Sequence, residues 1–218
     1  KITLLKLYKA TMGSDGSWVD VQELPFNSNQ YSCAHPSLSP DEKTLYFASD
    51  MPGSVGQSDI FKVAINADGT FGTPTSLGGG INTEARETSP FVSDDNILFF
   101  ASDGQLGLGG LDVFSVKMNA DGTMSKVYNL GTPVNSPQDD FSYLFNSKTK
   151  LGFFSSNRAG GKGNDDIYKF VEEMPLPYDC NQVISGVIVD EQTKEIITNT
   201  TVTLFDEDMK LIISMFFN

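Results

Sequence analysis

Two acidic segments of this sequence carry residues that could hold a metal ion. Asp139-Asp140 and Asn164-Asp165-Asp166 offer side-chain oxygens, which are the ligands that a hard cation such as calcium takes. Asp166 has counterparts at the same place in two other segments, Asp59 and Asp112. A residue that recurs in this way is expected to cap the start of a strand by accepting backbone hydrogen bonds. We therefore predict a structural role for the three recurring aspartates and no required cofactor, with calcium as an open alternative.

Nucleophilic catalysis and zinc chemistry need residue types that this sequence barely contains. Its only histidine is His35, and a serine nucleophile needs such a base beside it. The Gly-x-Ser-x-Gly turn of many hydrolases is absent. One histidine and two cysteines do not make a usual zinc site. We predict no catalytic residue and expect His35 to be structural or partly exposed.

A glycosidase of the sialidase type is a further alternative, because the segment Ser14-Asp15-Gly16-Ser17-Trp18 partly matches the Asp-box turn of that class. Such enzymes hold the carboxylate of the substrate with three arginines. This sequence has two arginines in total, Arg86 and Arg158. The arginine count argues against this activity.

The charge of the chain limits its partners. It has 28 acidic and 15 basic residues, a net charge of −13. Binding to nucleic acid requires a basic face that neutralises phosphates, and we expect none here. No segment has the roughly 20 apolar residues of a membrane-spanning helix, so we expect no direct membrane insertion. The two cysteines, Cys33 and Cys180, either form a disulfide or remain free, and their spacing does not decide between these states.

An internal repeat must position any functional residues. Asp59, Asp112 and Asp166 recur at a nearly constant interval, and each is followed by an apolar and then an aromatic residue. A turn of the type Asp-Gly-(Thr/Ser) recurs at Asp15, Asp68 and Asp121 with the same interval. Repeats of about 50 residues are typical of propellers and solenoids.

Each repeat predicts four short strands. The apolar pattern has period two, and the Asn-x-Asp-Gly segments suit hairpin turns. Four strands in about 50 residues make one propeller blade. In the first complete blade we expect the second strand at about residues 44–49 and the outer strand at residues 73–77, and in the half blade a strand over residues 2–9. We predict an all-β chain that contains about three and a half blades of a six- to eight-bladed β-propeller. The blades are a half blade over residues 1–33 and complete or nearly complete blades over about 34–87, 88–138 and 139–172.

One face of the predicted propeller has the longer loops. These loops cover residues 51–58, 104–111 and 158–165, together with the blade-to-blade segments 78–88 and 131–139. Binding sites tend to lie on long loops of a rigid scaffold. The candidate binding residues on this face are Arg86, Gln105, Asp139, Asp140, Arg158 and Asn164.

The repeat resembles a known family. Ser39-Pro40-Asp41 leads into Leu45-Tyr46-Phe47-Ala48-Ser49-Asp50, then a glycine-containing loop, then Asp59-Ile60-Phe61. This pattern is similar to the TolB-like, WD-related propeller repeat of bacterial envelope proteins. The second and third copies depart from it at Ser-Pro-Asp. The resemblance covers roughly residues 1–172.

The remaining sequence has a different composition. Residues 173–179 contain two prolines and are expected to form an extended linker. Residues 180–218 resemble the start of a carboxypeptidase-regulatory-like domain, which implies a partial transthyretin-like β-sandwich. Propeller repeats followed by such a domain look like the middle of OmpA-family envelope proteins of the Bacteroidota type, some of which are accessory to type IX secretion.

The resemblance implies a non-catalytic scaffold or binding module that is periplasmic or associated with the outer membrane. Its expected partners are proteins of the cell envelope, and peptidoglycan through a domain outside this sequence. The alternative is the propeller part of a glycan- or peptide-processing enzyme whose catalytic residues lie elsewhere.

Overall fold

In the computed structural model, residues 3–176, 178, 186–205 and 209–217 are described. The chain divides into two units, Lys1–Tyr178 and Asp179–Asn218. The described residues form the following strands: β1 (Tyr8–Met12), β2 (Trp18–Glu23), β3 (Cys33–Leu38), β4 (Thr44–Ser49), β5 (Asp59–Ala64), β6 (Thr75–Ser76), β7 (Glu87–Val92), β8 (Ile97–Ser102), β9 (Asp112–Lys117), β10 (Tyr128–Asn129), β11 (Asp140–Asn146), β12 (Leu151–Ser156), β13 (Asp166–Val171), β14 (Thr200–Phe205) and β15 (Leu211–Phe217).

The first unit is a series of antiparallel sheets in which each strand pairs with the next along the chain. The orders are β3-β4-β5-β6, β7-β8-β9-β10 and β11-β12-β13, preceded by the pair β1-β2. We call these blade 1, blade 2, blade 3 and the half-blade. Sheets of four short meandering strands that stack face to face are propeller blades. The predicted all-β propeller fold is confirmed.

The strand bounds differ from the prediction at two places. In the half-blade the sequence predicts a strand over residues 2–9, but β1 begins at Tyr8 and extends to Met12, up to the Asp-Gly turn. Before the strand, the carbonyl of Leu7 accepts from Leu24 within the half-blade, and the carbonyl of Leu5 accepts from Cys33 at the start of blade 1. The predicted outer strand of blade 1 covers residues 73–77, yet β6 is only Thr75–Ser76. Pro74 precedes it and has no N–H to pair.

The hydrophobic core lies between successive sheets. Three clusters of buried residues fill the interfaces from the half-blade to blade 1, from blade 1 to blade 2 and from blade 2 to blade 3. The second strand of blades 1 and 2 contributes an aromatic residue to the next blade. Tyr46 of β4 packs on blade 2, and Phe99 of β8 stacks on Tyr143 of blade 3 with ring centroids 4.6 Å apart.

The inner strands of the three blades share a backbone irregularity. Each contains one residue at positive φ, namely His35 (51°), Ser89 (50°) and Ser142 (51°). At this point the register of the strand against its neighbour shifts. Such bulges bend a strand and increase its twist. His35 also joins two blades, because its Nδ1 lies 2.6 Å from the hydroxyl of Thr88. The ring remains solvent-exposed, and partial desolvation by its neighbours lowers the pKa of the imidazole.

The second unit contains the antiparallel hairpin β14-β15 and a bridge between Val189 and Ile196. Asp190 shapes the turn inside this bridge, because its carboxylate accepts from the amides of Gln192 and Thr193. The β-sandwich expected for residues 180–218 stays a prediction. No helix long and apolar enough to cross a membrane occurs in the described ranges.

Candidate functional site

The loop face consists of the segments 51–58, 104–111 and 158–165, each of which joins the second strand of a blade to the third. In each blade, an aspartate at the start of the third strand accepts hydrogen bonds from backbone amides of the loop. In blade 1, the two carboxylate oxygens of Asp59 accept from the amides of Val55 at 3.0 Å and Gly56 at 3.1 Å. Asp59 is fully buried. The loop backbone is therefore tied to the sheet by a charged acceptor, which makes stronger hydrogen bonds than a neutral one.

The same clamp recurs in the other blades. Asp112 accepts from Leu108 at 2.8 Å and Gly109 at 2.9 Å, both at Oδ2. Asp166 accepts from Lys162 at 2.8 Å and Gly163 at 3.1 Å. In blade 2 the other oxygen, Oδ1 of Asp112, is buried and accepts no hydrogen bond.

Two glycines let these loops pack against the neighbouring blade-to-blade segments. A Cβ at Gly56 would lie 2.3 Å from the carbonyl oxygen of Ala85, and one at Gly109 would lie 2.3 Å from that of Gln138. No side chain fits at such distances. The loops of blades 1 and 2 are thus fixed from two sides, by an aspartate and by the adjoining backbone.

Apolar side chains project from the loop face. Leu106 is 95% exposed, and Val55 and Leu108 are about half exposed. Val55 and Leu108 occupy the same place in successive blades, and the amides of both are held by the aspartate clamp. The backbone that carries these side chains is therefore preorganised. These three apolar residues are not among the binding residues predicted from the sequence, because only polar residues of the loops were candidates there.

Two of the predicted binding residues, Asp140 and Arg158, form an internal ion pair. Asp140 is fully buried, and its Oδ1 contacts the guanidinium of Arg158. Its Oδ2 accepts from the amide and hydroxyl of Ser136. Arg158 also donates to the carbonyls of Pro133 and Val134. Both groups are engaged in joining blade 3 to the segment before it.

The residue at the position of Asp140 differs in the other two blades. In blade 2, the buried carboxylate of Glu87 accepts from the hydroxyls of Thr83 (2.7 Å) and Ser102 (2.6 Å). In blade 1, Cys33 occupies this place, with Sγ 3.6 Å from the hydroxyl of Ser49. Cys33 is buried and forms no disulfide among the described residues, and burial raises the pKa of its thiol. Cys180 lies outside the described residues, so the two states expected from the sequence, a disulfide or free thiols, stay untested.

The remaining candidates lie at the edge of the loop face. Arg86 is exposed and pairs with Asp103 at 2.7 Å. Gln105 donates to the carbonyl of Ile81 at 3.1 Å, and Asp139 accepts from the amide of Leu111 at 2.8 Å. Asn164 is exposed in the third loop. A binding role for these residues stays a prediction.

Three carboxylates in the segments considered for calcium, those of Asp139, Asp140 and Asp166, already have partners. Asp139 accepts from Leu111 and from the side chain of Asn157, and Asp140 is paired with Arg158. Across the described ranges, no three His, Cys, Asp or Glu side chains come together as a metal-binding group. Calcium at these segments stays an untested alternative.

An asparagine clamp is a further recurring feature that the sequence did not reveal. Asn82 accepts from the amide of Ile60 (2.8 Å) and donates to its carbonyl (3.1 Å). Asn135 does the same with Val113, and Asn27 with Leu7. Asn82 and Asn135 are 53 residues apart, which is the interval of the repeat, whereas Asn27 precedes Asn82 by 55 residues. The interval marks a repeated residue, and only the fold shows that it clamps the strand.

Comparison with known proteins gives similarity at the level of structure only. No family model matches the chain, and no curated protein matches it. Solved structures that are similar include TolB from Acinetobacter baumannii, with a TM-score of 0.46 and 14% identity over 72% of this chain and 33% of that chain. A gluconolactonase from Xanthomonas campestris has a TM-score of 0.43 and 20% identity over 75% of this chain and 43% of that chain.

A third similar structure is a puromycin-hydrolyzing peptidase from Mycobacterium tuberculosis, with a TM-score of 0.37 and 13% identity over 81% of this chain and 30% of that chain. This chain therefore spans less than half the length of each of these three structures.

Proposed function

We propose that this protein is a non-catalytic binding module that contacts a protein partner through the loop face. The observation that carries the proposal is the set of exposed apolar side chains, Val55, Leu106 and Leu108, on loops whose backbone is held by Asp59 and Asp112. All three side chains belong to loops that join the second and third strands of a blade, and apolar groups exposed on one face of a protein can mark an interaction site.

Preorganisation favours binding at this face. Ordering a mobile loop on association costs free energy, and a loop that is already fixed avoids this cost. Arg86 lies at the edge of the same face and keeps about half of its side chain exposed while paired with Asp103. An apolar centre with an arginine at its edge is the composition that protein interfaces favour.

The proposed setting is the bacterial cell envelope. The support is the resemblance of the repeat at residues 39–61 to the TolB-like propeller repeat, together with the order of a propeller followed by a small β-rich segment. We propose further that the parent protein is of the OmpA-family type, with peptidoglycan bound by a domain outside this sequence. The most specific form of this proposal is an accessory role in type IX secretion.

A pull-down from envelope extracts tests the binding role. We expect the double variant Leu106→Ser/Leu108→Ser to retain the melting temperature of the wild type and to lose most partner capture. Leu144→Ser is the matched control, because Leu144 is 51% exposed but lies on β11 rather than on the loop face. Equal capture by the loop variant and the wild type would contradict the proposal.

An activity screen tests the non-catalytic part of the proposal. The purified chain is incubated with model glycosides and peptides, and we expect no turnover above that of a heat-denatured sample. Hydrolytic activity that co-purifies with the folded protein would favour the enzyme alternative.

A further inference from the structure

Residues 83–85, which join blade 1 to blade 2, contact the loops of both blades. The amide of Gln57, in the loop of blade 1, donates to the carbonyl of Ala85 at 2.8 Å. In the loop of blade 2, a Cβ added at Gly104 would lie 2.8 Å from the Cβ of Thr83, so that no side chain fits there. The two loops are therefore packed on the same three residues.

This arrangement brings apolar side chains of two loops to one area of the loop face. Val55 belongs to the loop of blade 1, and Leu106 and Leu108 belong to the loop of blade 2. Glu84 is the middle residue of the segment that both loops contact, and it is exposed. We call these four residues the inter-loop patch. It offers a partner apolar groups together with a negative charge.

Three buried carboxylates lie behind the backbone of the inter-loop patch. Each accepts a hydrogen bond from a backbone amide of one of the two loops or of residues 83–85. They are Asp59, Asp112 and Glu87, and each is at most 1% exposed. A single hydrogen bond therefore separates each carboxylate from the backbone at the surface.

The negative charge of these carboxylates has no nearby cation. Backbone amides can only donate, so the carboxylates act as acceptors, as ionised groups do. Among the described residues, none of the three forms an ion pair, in contrast to Asp140, which is paired with Arg158. Oδ1 of Asp112 is buried and accepts no hydrogen bond. The charge behind the patch is thus uncompensated within the described part of the chain.

The surrounding segments carry charge of the same sign. Residues 50–59, 83–87 and 103–112 include six acidic residues and one basic residue, Arg86. Arg86 is already paired with Asp103 at 2.7 Å. Salt screens a buried charge less than an exposed one, and the summed charge sets the potential at the surface. The apolar side chains of the patch therefore lie in a negative potential.

We propose that the inter-loop patch binds a basic segment of a partner protein, in which a lysine or arginine lies beside an apolar side chain. This inference rests on the binding role proposed above for the loop face. The cation pairs with Glu84, and the apolar side chain packs on Val55 and Leu106. Complementary charge steers association and selects among partners, whereas apolar burial supplies most of the affinity.

Three synthetic peptides of equal length and equal leucine content are the probes, with lysine, serine or glutamate at the remaining positions. Each carries a fluorophore and is titrated with the full chain. By fluorescence anisotropy we expect saturable binding of the lysine peptide, binding of the serine peptide that is about tenfold weaker, and none of the glutamate peptide. Added salt should weaken binding of the lysine peptide. Equal binding of the lysine and glutamate peptides, or binding of none of the three, would overturn the proposal.

Protein variants test whether the lysine peptide binds at the inter-loop patch. Glu84→Lys should weaken its binding about tenfold, because it places a cation where the peptide brings its own. Glu42→Lys is the matched control with the same change in net charge. Glu42 is exposed and lies in the turn before β4, at the end of the strand opposite the loop face. Equal effects of the two variants would show attraction to overall charge only, and would overturn the proposal; circular dichroism checks that both remain folded.

The pull-down from envelope extracts separates this inference from the binding role itself. We expect both Leu106→Ser/Leu108→Ser and Glu84→Lys to lose partner capture, and Glu42→Lys to retain it. Capture that is lost in the leucine variant and unchanged in Glu84→Lys would leave the loop face as a binding site and overturn the basic partner. Capture that is unchanged in both would contradict the binding role as well.

Discussion

Strands β9 and β13 occupy the same place in successive blades and differ sharply in burial. Residues 112–116 of β9 are all buried, whereas alternate residues of β13 are exposed. Both strands begin with the aspartate clamp and pair with the second strand of their blade in the same register. Blade 2 has a sheet packed on each face, and blade 3 has one on a single face among the described residues. The repeat thus specifies strands and turns, while burial is specified by the neighbouring blade.

The largest expected difference is between Phe99 and Phe153, which are equivalent residues of blades 2 and 3. Phe99 is 2% exposed and Phe153 is 40% exposed. We expect Phe99→Ala to lower the free energy of unfolding by about 3–5 kcal/mol, as for a buried aromatic residue. Phe153→Ala should cost about 1 kcal/mol because solvent already reaches the ring. Urea denaturation of both variants gives the two values, and similar losses would refute the role assigned to the neighbouring sheet.

The two arginines provide a second contrast. Arg158→Ala would leave the fully buried Asp140 without its cation, and should cost about 2–4 kcal/mol. Arg86→Ala breaks an ion pair that is about half exposed, and should cost at most about 1 kcal/mol. Thermal denaturation at low and high salt checks this, since only the exposed pair should be sensitive to salt. A large loss of stability in Arg86→Ala would contradict this ranking, because it would show that the ion pair with Asp103 stabilises the fold strongly.

The aspartate clamps of blades 1 and 2 differ in how they use their oxygens. In Asp59 each oxygen accepts one amide, whereas in Asp112 both amides go to Oδ2. Asp59→Asn replaces one acceptor with a donor and should cost about 1–3 kcal/mol. Asp112→Asn can keep the accepting oxygen and replace only the oxygen that has no partner. Because a neutral amide oxygen accepts more weakly than a carboxylate, Asp112→Asn should still lower the stability, but by less than Asp59→Asn; equal losses in the same denaturation would contradict this assignment.

The smallest expected effect concerns the Asp-Gly turns, which are held mainly by hydrogen bonds within the turn, although Lys9 of the half-blade also donates to the carbonyl of Gly69 at 3.3 Å. The hydroxyl and amide of Thr70 hold the pKa of Asp68 below its usual value of 3.8, and Thr123 does the same for Asp121. A lowered pKa in the folded state means that these turns are fully stabilised above about pH 4, and lose this contribution as the pH falls through the folded pKa. An NMR titration should give both aspartates similar midpoints below the usual value. Clearly different midpoints would show that the neighbouring blades influence the pKa of these aspartates.

The sequence predicts most of the scaffold because the relevant signals are local. A short apolar run between the Ser-Pro-Asp turn and the glycine-containing loop predicts β4 (Thr44–Ser49), and similar apolar runs return at a nearly constant interval in the following blades. The ends of the strands are less well predicted, as at β1 and β6, where pairing rather than composition decides the bounds.

The candidate site was harder to predict because its contacts join residues far apart in the chain. Arg158 and Asp140 are polar residues next to long loops, a pattern that suggests a binding surface. Only the fold shows that they pair with each other, because Asp140 begins β11 and Arg158 follows the end of β12. Leu106 and Leu108 gave no signal, because an apolar residue in a glycine-rich loop becomes informative only when its exposure is known.

Site-specific photo-crosslinking tests the proposed binding face most directly. A photoreactive amino acid is placed at Leu108, on the loop face, or at Ala120, in the turn at the other end of β9. Both variants are irradiated with envelope extract. We expect a crosslinked adduct of defined mass from position 108 and little or none from position 120. An adduct from position 120 alone would contradict the assignment of the loop face as the binding surface.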